Sequence, residues 1–207
     1  PASRQSPAVR LRPPRNRADV VRVGFLTDAR EGYGMIRGYE DKEPEIADSA
    51  YVDPQATIIG DVKIREDATI LPGAVLRGDG GEIILEAKAN VQDNVTIHAD
   101  EQTKQVVLEE NAAVGHNAIV HNATIGEHSL VGMHATVLDD AVLEPYSAVG
   151  AKAFVMEEQT IPSYTMAGGS PAETIKEDIP EDSMLFQAAE FYVERAKGLE
   201  AGRIIEE

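Results

Sequence analysis

Val52-Asp53-Pro54-Gln55-Ala56-Thr57-Ile58-Ile59-Gly60-Asp61-Val62-Lys63-Ile64-Arg65-Glu66-Asp67-Ala68-Thr69-Ile70-Leu71-Pro72-Gly73-Ala74-Val75-Leu76 carries an aliphatic residue at every sixth position, namely Val52, Ile58, Ile64, Ile70 and Leu76. Four places after each of the first four stands a short or β-branched residue: Ala56, Val62, Ala68 and Ala74. The beat begins at Ile46. It resumes at Leu85, Val91 and Ile97, again at Leu108, Val114 and Val120, and then at Ile125, Val131, Val137, Leu143, Val149 and Val155, eighteen units in all. A helix turning about every 3.6 residues cannot keep a six-residue repeat on one face. Short strands joined by tight turns can, and Asp53-Pro54, Glu66-Asp67 and Glu144-Pro145 supply the turn chemistry. Self-similarity at this period is the signature of a parallel β-helix whose coils stack on one another. Three units per triangular coil give an all-β solenoid of about six coils.

The register around that triangle fixes which side chains meet. With Ile46 on face one, Val52 on face two and Ile58 on face three, Leu76 falls on face three. Three extra residues then return Leu85 to face one, and five more after Ile97 return Leu108 to face one. Arg77, His98 and His121 each directly follow a face-three aliphatic, so they form one column at the ~4.8 Å spacing of neighbouring strands. Asp93 and His116 stand two places after face-two aliphatics and form another column. His116 and His121 are separated by chain bent round a corner, up to ~16 Å of extended backbone. One chain can therefore offer His98 and His121 to one ion, while His116 is placed to serve the ion of a neighbouring copy. A prism lending a ligand around a threefold axis closes as a homotrimer with metal sites shared between subunits. The chain has no cysteine, so any zinc rests on imidazoles, completed by carboxylate or water.

Composition narrows the partners. Nineteen basic against thirty-six acidic residues give a net charge of −17, which repels nucleic acid and anionic membranes and suits a soluble, halophile-like protein of a salt-rich cytoplasm. No apolar run approaches the ~18 residues of a membrane span. Within residues 1–34, Arg4, Arg10, Arg12, Arg15, Arg17 and Arg22 face the single acid Asp19 up to Val23. With Pro13-Pro14 and no periodicity, this piece reads as a basic, disordered extension, with Met35 a candidate for the true start. It lacks the apolar core of a signal peptide, so a cytoplasmic location is expected. The β-helix is expected over 35–177 and a C-terminal helix packed on it over 178–207, since Met184, Leu185, Ala188, Tyr192, Ala196 and Leu199 recur at helical spacing. His128 and His134 lie away from the ligand columns and read as surface residues. Asn94-Val95-Thr96 and Asn122-Ala123-Thr124 match a glycosylation sequon but fall inside repeat strands.

Arg77-Gly78-Asp79, Asn90-Val91-Gln92-Asp93, His98, and Gly115-His116 with His121 resemble, in order and spacing, the pattern of the gamma-class carbonic anhydrases, over roughly residues 35–200. The resemblance implies a left-handed β-helix followed by a C-terminal helix, assembled as a trimer. It implies that His98 and His121 of one subunit and His116 of the next bind Zn2+, with Fe2+ or Co2+ as alternatives, for the reversible hydration of carbon dioxide to bicarbonate. In that picture Gln92 hydrogen-bonds the hydroxide at the metal, Asn90 holds that network, Tyr192 approaches the metal from the helix, and Arg77 pairs with Asp93 across the interface near Asp79. The best-known members carry a glutamate directly after Arg-Gly-Asp, where Gly80 and Gly81 stand here. Their long acidic loop is shortened to about Ala99 to Gln105, leaving Glu101 at the offset of a proton shuttle. The repeat alone also fits an acyltransferase using a coenzyme A thioester, or a silent metal-binding scaffold.

Overall fold

The computed structural model describes residues 35–202; the basic extension expected over 1–34 lies outside them. Each unit of the repeat builds one short strand and one corner. The residue three places after the aliphatic takes a left-handed backbone in nearly every unit: Asp67, Gly73, Lys88, Asn94, Asn111, Asn117, His128, His134, Asp140, Tyr146, Lys152, Glu158 and Tyr164. The amide of the next residue closes the turn, as in Ala74 N–H to Leu71 C=O (3.2 Å) and Ala118 N–H to Gly115 C=O (3.1 Å). That next residue points into the prism, where only a small side chain fits a corner, and Ala68, Ala74, Ala89, Ala112, Ala118, Ala135 and Ala141 are fully buried there. Asn, Asp and Gly adopt the left-handed region most readily, which explains the turn composition.

The strands pair in parallel in the register read from the sequence. Face one stacks Ile46, Ile64, Leu85, Leu108, Ile125, Leu143 and Ile161. Face two stacks Val52, Ile70, Val91, Val114, Val131, Val149 and Ala167. Face three stacks Ile36, Ile58, Leu76, Ile97, Val120, Val137 and Val155. The solenoid thus has about seven turns. Ile36, Ile161 and Ala167 add three rungs to the eighteen read from the sequence; Ile36 escapes the six-residue beat because ten residues separate it from Ile46 and a Tyr39–Lys42 bridge fills the gap. Faces one and three belong to one twelve-stranded sheet because Thr57–Ile64 and Val75–Leu85 run through their shared corner without a break. The register shifts there between Gly60 and Val62, which absorbs the three extra residues around Asp79 to Gly81. The aliphatic stripes form one continuous core, each fully buried Ile or Leu contributing about 1.5–3 kcal/mol.

After Met166–Gly168 the chain reverses, and Glu173–Lys176 pairs antiparallel to it. A 3-10 turn over Met184–Phe186 precedes the α-helix Ala188–Glu200, which runs against the face-two strands at Thr69–Ile70 and Asn90–Val91. The helix begins later than the periodicity suggests. Ser183 accepts from the Leu185 amide and starts the 3-10 turn, leaving Met184 87% exposed, while Phe186 is buried against Tyr146 with ring centres 5.7 Å apart. The buried helix positions are Ala189 and Ala196. No helix among the described residues is long and apolar enough to cross a membrane.

Candidate metal centre

Adjacent rungs bring His98 and His121 side by side on face three. Their ring centres lie 5.0 Å apart with an interplanar angle of 68°. Arg77 occupies the rung before them. It donates from Nη1 to Asp79 Oδ2 (2.5 Å) and from Nη2 to His98 Nδ1 (3.3 Å), while His98 Nε2 lies 3.1 Å from Asp79 Oδ1. Burial opposes ionisation of Asp79, but Arg77 and His98 outweigh it and hold the carboxyl below its usual range. His98 must exchange one of these two contacts to ligate an ion.

His121 is held by the rung that follows. Its Nδ1 lies 2.6 Å from Asp139 Oδ1, and its Nε2 lies 3.5 Å from Asp100 Oδ2. The buried amide of Asn122 donates to Asp139 Oδ2 (2.7 Å) and to Asp100 Oδ1 (2.8 Å). Burial raises the Asp139 carboxyl; Asn122, His121 and Lys104 more than reverse this, so it lies below its usual range. Among the described residues, His98, Asp100 and His121 place three ligand atoms within 4.8 Å of one another, and His116 is outside that group.

His116 sits on face two, beyond the corner formed by Asn117. Its Nδ1 lies 2.8 Å from Asp93 Oδ2, and its Nε2 lies 3.3 Å from the Tyr192 hydroxyl of the C-terminal helix. These residues line a cleft of about 380 Å³ between the helix and face two, together with Leu71, Pro72 and Arg195. Burial raises the pKa of Tyr192; Arg195 lowers it and Asp93 adds to the rise. Arg77 therefore meets Asp79, and Asp93 meets His116, within one chain. On the same face Gln92 donates from Nε2 to Asn90 Oδ1 (3.1 Å), and Asn90 donates from Nδ2 to Thr69 Oγ1 (2.6 Å), all three side chains being buried. Glu101, by contrast, is exposed at the start of the shortened loop.

The donor set of imidazole nitrogens and carboxylate oxygens, with no thiol, fits a first-row divalent ion such as Zn2+, Fe2+ or Co2+. No family model matches the chain. It is 42% identical to the carnitine operon protein CaiE of Proteus sp. over 104 residues, 50% of this chain and 52% of that protein. It is 36% identical to a carbonic anhydrase of Geobacillus kaustophilus over 105 residues, 51% of this chain and 57% of that protein. The chain thus spans about half the length of the curated relatives it matches. The crystal structure of a hexapeptide transferase family protein from Anaplasma phagocytophilum superposes with a TM-score of 0.74 at 31% identity, covering 79% of this chain and 97% of that one. The chain belongs to the hexapeptide-repeat family.

In this hexapeptide-repeat chain, sequence reasoning missed Thr69, Asp100, Asn122 and Asp139. A signal for Asp139 existed, since it lies two places after Val137, the rung stacked on Val120. His128 differs from expectation: it stacks on Tyr146 (4.8 Å), which stacks on Tyr164 (5.5 Å), and its Nδ1 lies 3.3 Å from Phe186 C=O. It is a docking residue for the C-terminal segment. His134 is exposed as expected. Asn122 is buried and doubly hydrogen-bonded, which excludes it as a glycan acceptor in the folded chain.

Proposed function

We propose that this protein is a metal-dependent carbonic anhydrase, hydrating carbon dioxide reversibly to bicarbonate and a proton. The observation that carries the reading is the pairing of His98 with His121 on adjacent rungs while His116 stands on the next face. His98 and His121 of one subunit and His116 of a neighbouring copy would hold Zn2+, or Fe2+ or Co2+, in a homotrimer. When bound, such an ion supplies a Lewis acid that ionises water near neutral pH.

The chain's own residues do the rest. A carboxylate at Nδ1 fixes the ring of His121 through Asp139 and of His116 through Asp93, which aims Nε2 of His121 toward Asp100, while Nε2 of His116 would exchange its contact with the Tyr192 hydroxyl for the ion. Gln92, whose amide is oriented by Asn90 and through it by Thr69, would hydrogen-bond the attacking oxygen. Tyr192 borders the cleft from the helix side. Glu101, exposed beside the site, would pass the released proton to solvent.

A second reading, acyl transfer from a coenzyme A thioester, is favoured by the transferase likeness of the Anaplasma phagocytophilum structure. Stopped-flow hydration of carbon dioxide by metal-replete protein decides between them. Hydration that disappears in His98→Ala supports the carbonic anhydrase; no hydration together with calorimetric binding of coenzyme A supports the transferase.

A further inference from the structure

We infer that Asp100 is a further ligand to the ion, supplied by the same chain as His98 and His121, so that a subunit retains the ion when the histidine of its neighbour is removed. The inference rests on the metal-site reading above through those two histidines, and adds a third donor to it.

The argument begins with Asn122, which is buried and whose amide reaches two carboxylates at once, Asp100 Oδ1 at 2.8 Å and Asp139 Oδ2 at 2.7 Å. Its Oδ1 in turn accepts from the Asp100 backbone N–H at 3.3 Å. Asp100 is therefore gripped by both its backbone and one carboxylate oxygen, and its other oxygen, Oδ2, is directed at His121. On the opposite side Asp139 Oδ1 lies 2.6 Å from Nδ1 of His121, which aims Nε2 of the ring at Asp100 Oδ2, 3.5 Å away. That places an imidazole nitrogen and a carboxylate oxygen where one cation can be held by both. With metal–ligand bonds of about 2.0–2.2 Å, donor atoms around one ion stand roughly 3–3.6 Å apart. The Asp100–His121 pair already meets that spacing, and all three donors lie within 4.8 Å of one another, so the set closes once His98 releases Arg77 or Asp79 and turns toward the pair.

The backbone beneath Asp100 is fixed as well. The amides of Gly80 and Gly81 both donate to Ala99 C=O (3.2 and 2.8 Å), and a Cβ on Gly80 would overlap the Asp100 carbonyl. Glycine at position 80 lets the Asp100 segment settle against the site. Two imidazoles and one carboxylate form a donor set suited to a divalent first-row ion with positions left open.

The test uses the full chain stripped of metal and titrated with Co2+ in competition with a chromophoric chelator at neutral pH. His116→Ala should still bind about one Co2+ per chain. Adding Asp100→Asn to it should weaken binding about 10- to 100-fold and change the visible cobalt bands, while circular dichroism and thermal melting confirm folding. Asp100→Asn keeps the side chain's size and its hydrogen-bonding capacity toward Asn122, so loss of affinity in a folded variant reports the lost charge and ligand. Loss of all cobalt by His116→Ala alone, or unchanged affinity and spectrum on adding Asp100→Asn, overturns the inference. His98→Ala separates the two layers: if it leaves Co2+ binding intact, the metal-site reading itself fails; if it abolishes binding while Asp100→Asn does nothing, only the role of Asp100 fails.

Discussion

A ring nitrogen becomes a ligand through what holds the other one. Asp139 does this for His121 and Asp93 for His116, each through Nδ1. Asp139→Asn should accordingly lower metal affinity about 10- to 100-fold in equilibrium competition, because the ring loses its charged acceptor and is free to turn its wrong nitrogen to the ion. Gln92→Ala should behave differently, leaving bound metal unchanged by elemental analysis while lowering the hydration rate on the order of 10²-fold. Its amide is tied to Asn90 and lies outside the group of donors around His121. The three histidines were legible in the sequence because each sits at a fixed offset from a rung aliphatic. Asp100 and Asn122 were not, because they meet 22 residues apart across an insertion whose path a six-residue count cannot trace. Nor could the count say whether Arg77 turns toward Asp79 or elsewhere, since both positions share one bulged strand.

The repeat is the part of this chain where local preference and global packing agree, which is why faces, corners and stacking order could all be read before the fold was known. Where the beat stops, legibility stops too. The C-terminal segment looks evenly amphipathic from Glu181 onward, yet only Ala189 and Ala196 of its α-helix are buried, and its anchor is Phe186. That anchor docks on a column of corner residues, His128, Tyr146 and Tyr164, all in the left-handed region. Nothing in the hexapeptide pattern demands aromatic rings there, so the column looks like surface when each unit is read alone. Phe186→Ala should release the segment from this column at a local cost of about 3–5 kcal/mol. Hydrogen exchange and limited proteolysis should then report opening over 180–200 while the solenoid amides stay protected. Because the same helix carries Tyr192 to His116, hydration activity should fall in this variant even though the rungs bearing His98 and His121 are intact.

At the scale of the whole molecule, the arrangement makes a claim about which copy supplies which ligand. His98 and His121 share a face, and His116 lies round a corner against the C-terminal helix, so a site using all three draws on two chains. Such sharing is tested by mixing defective subunits. His116→Ala chains keep the face-three pair and lack the lent histidine; His98→Ala chains lack the pair and can still lend. Unfolded together in equal amounts and reassembled, they place a His116→Ala chain beside a lending His98→Ala chain at about a quarter of the interfaces of a random cyclic trimer. Hydration activity should therefore return to about a quarter of the wild-type level per chain, although each variant alone is inactive. Activity is the required readout, because the His98, Asp100 and His121 set would let the His116→Ala chain keep its ion without a neighbour's help. Reassembly should be run at high ionic strength, since a chain of net charge −17 resists association until salt screens it. A mixture that forms trimers by sedimentation yet shows no activity would place the catalytic ligands within single chains and end the shared-site proposal.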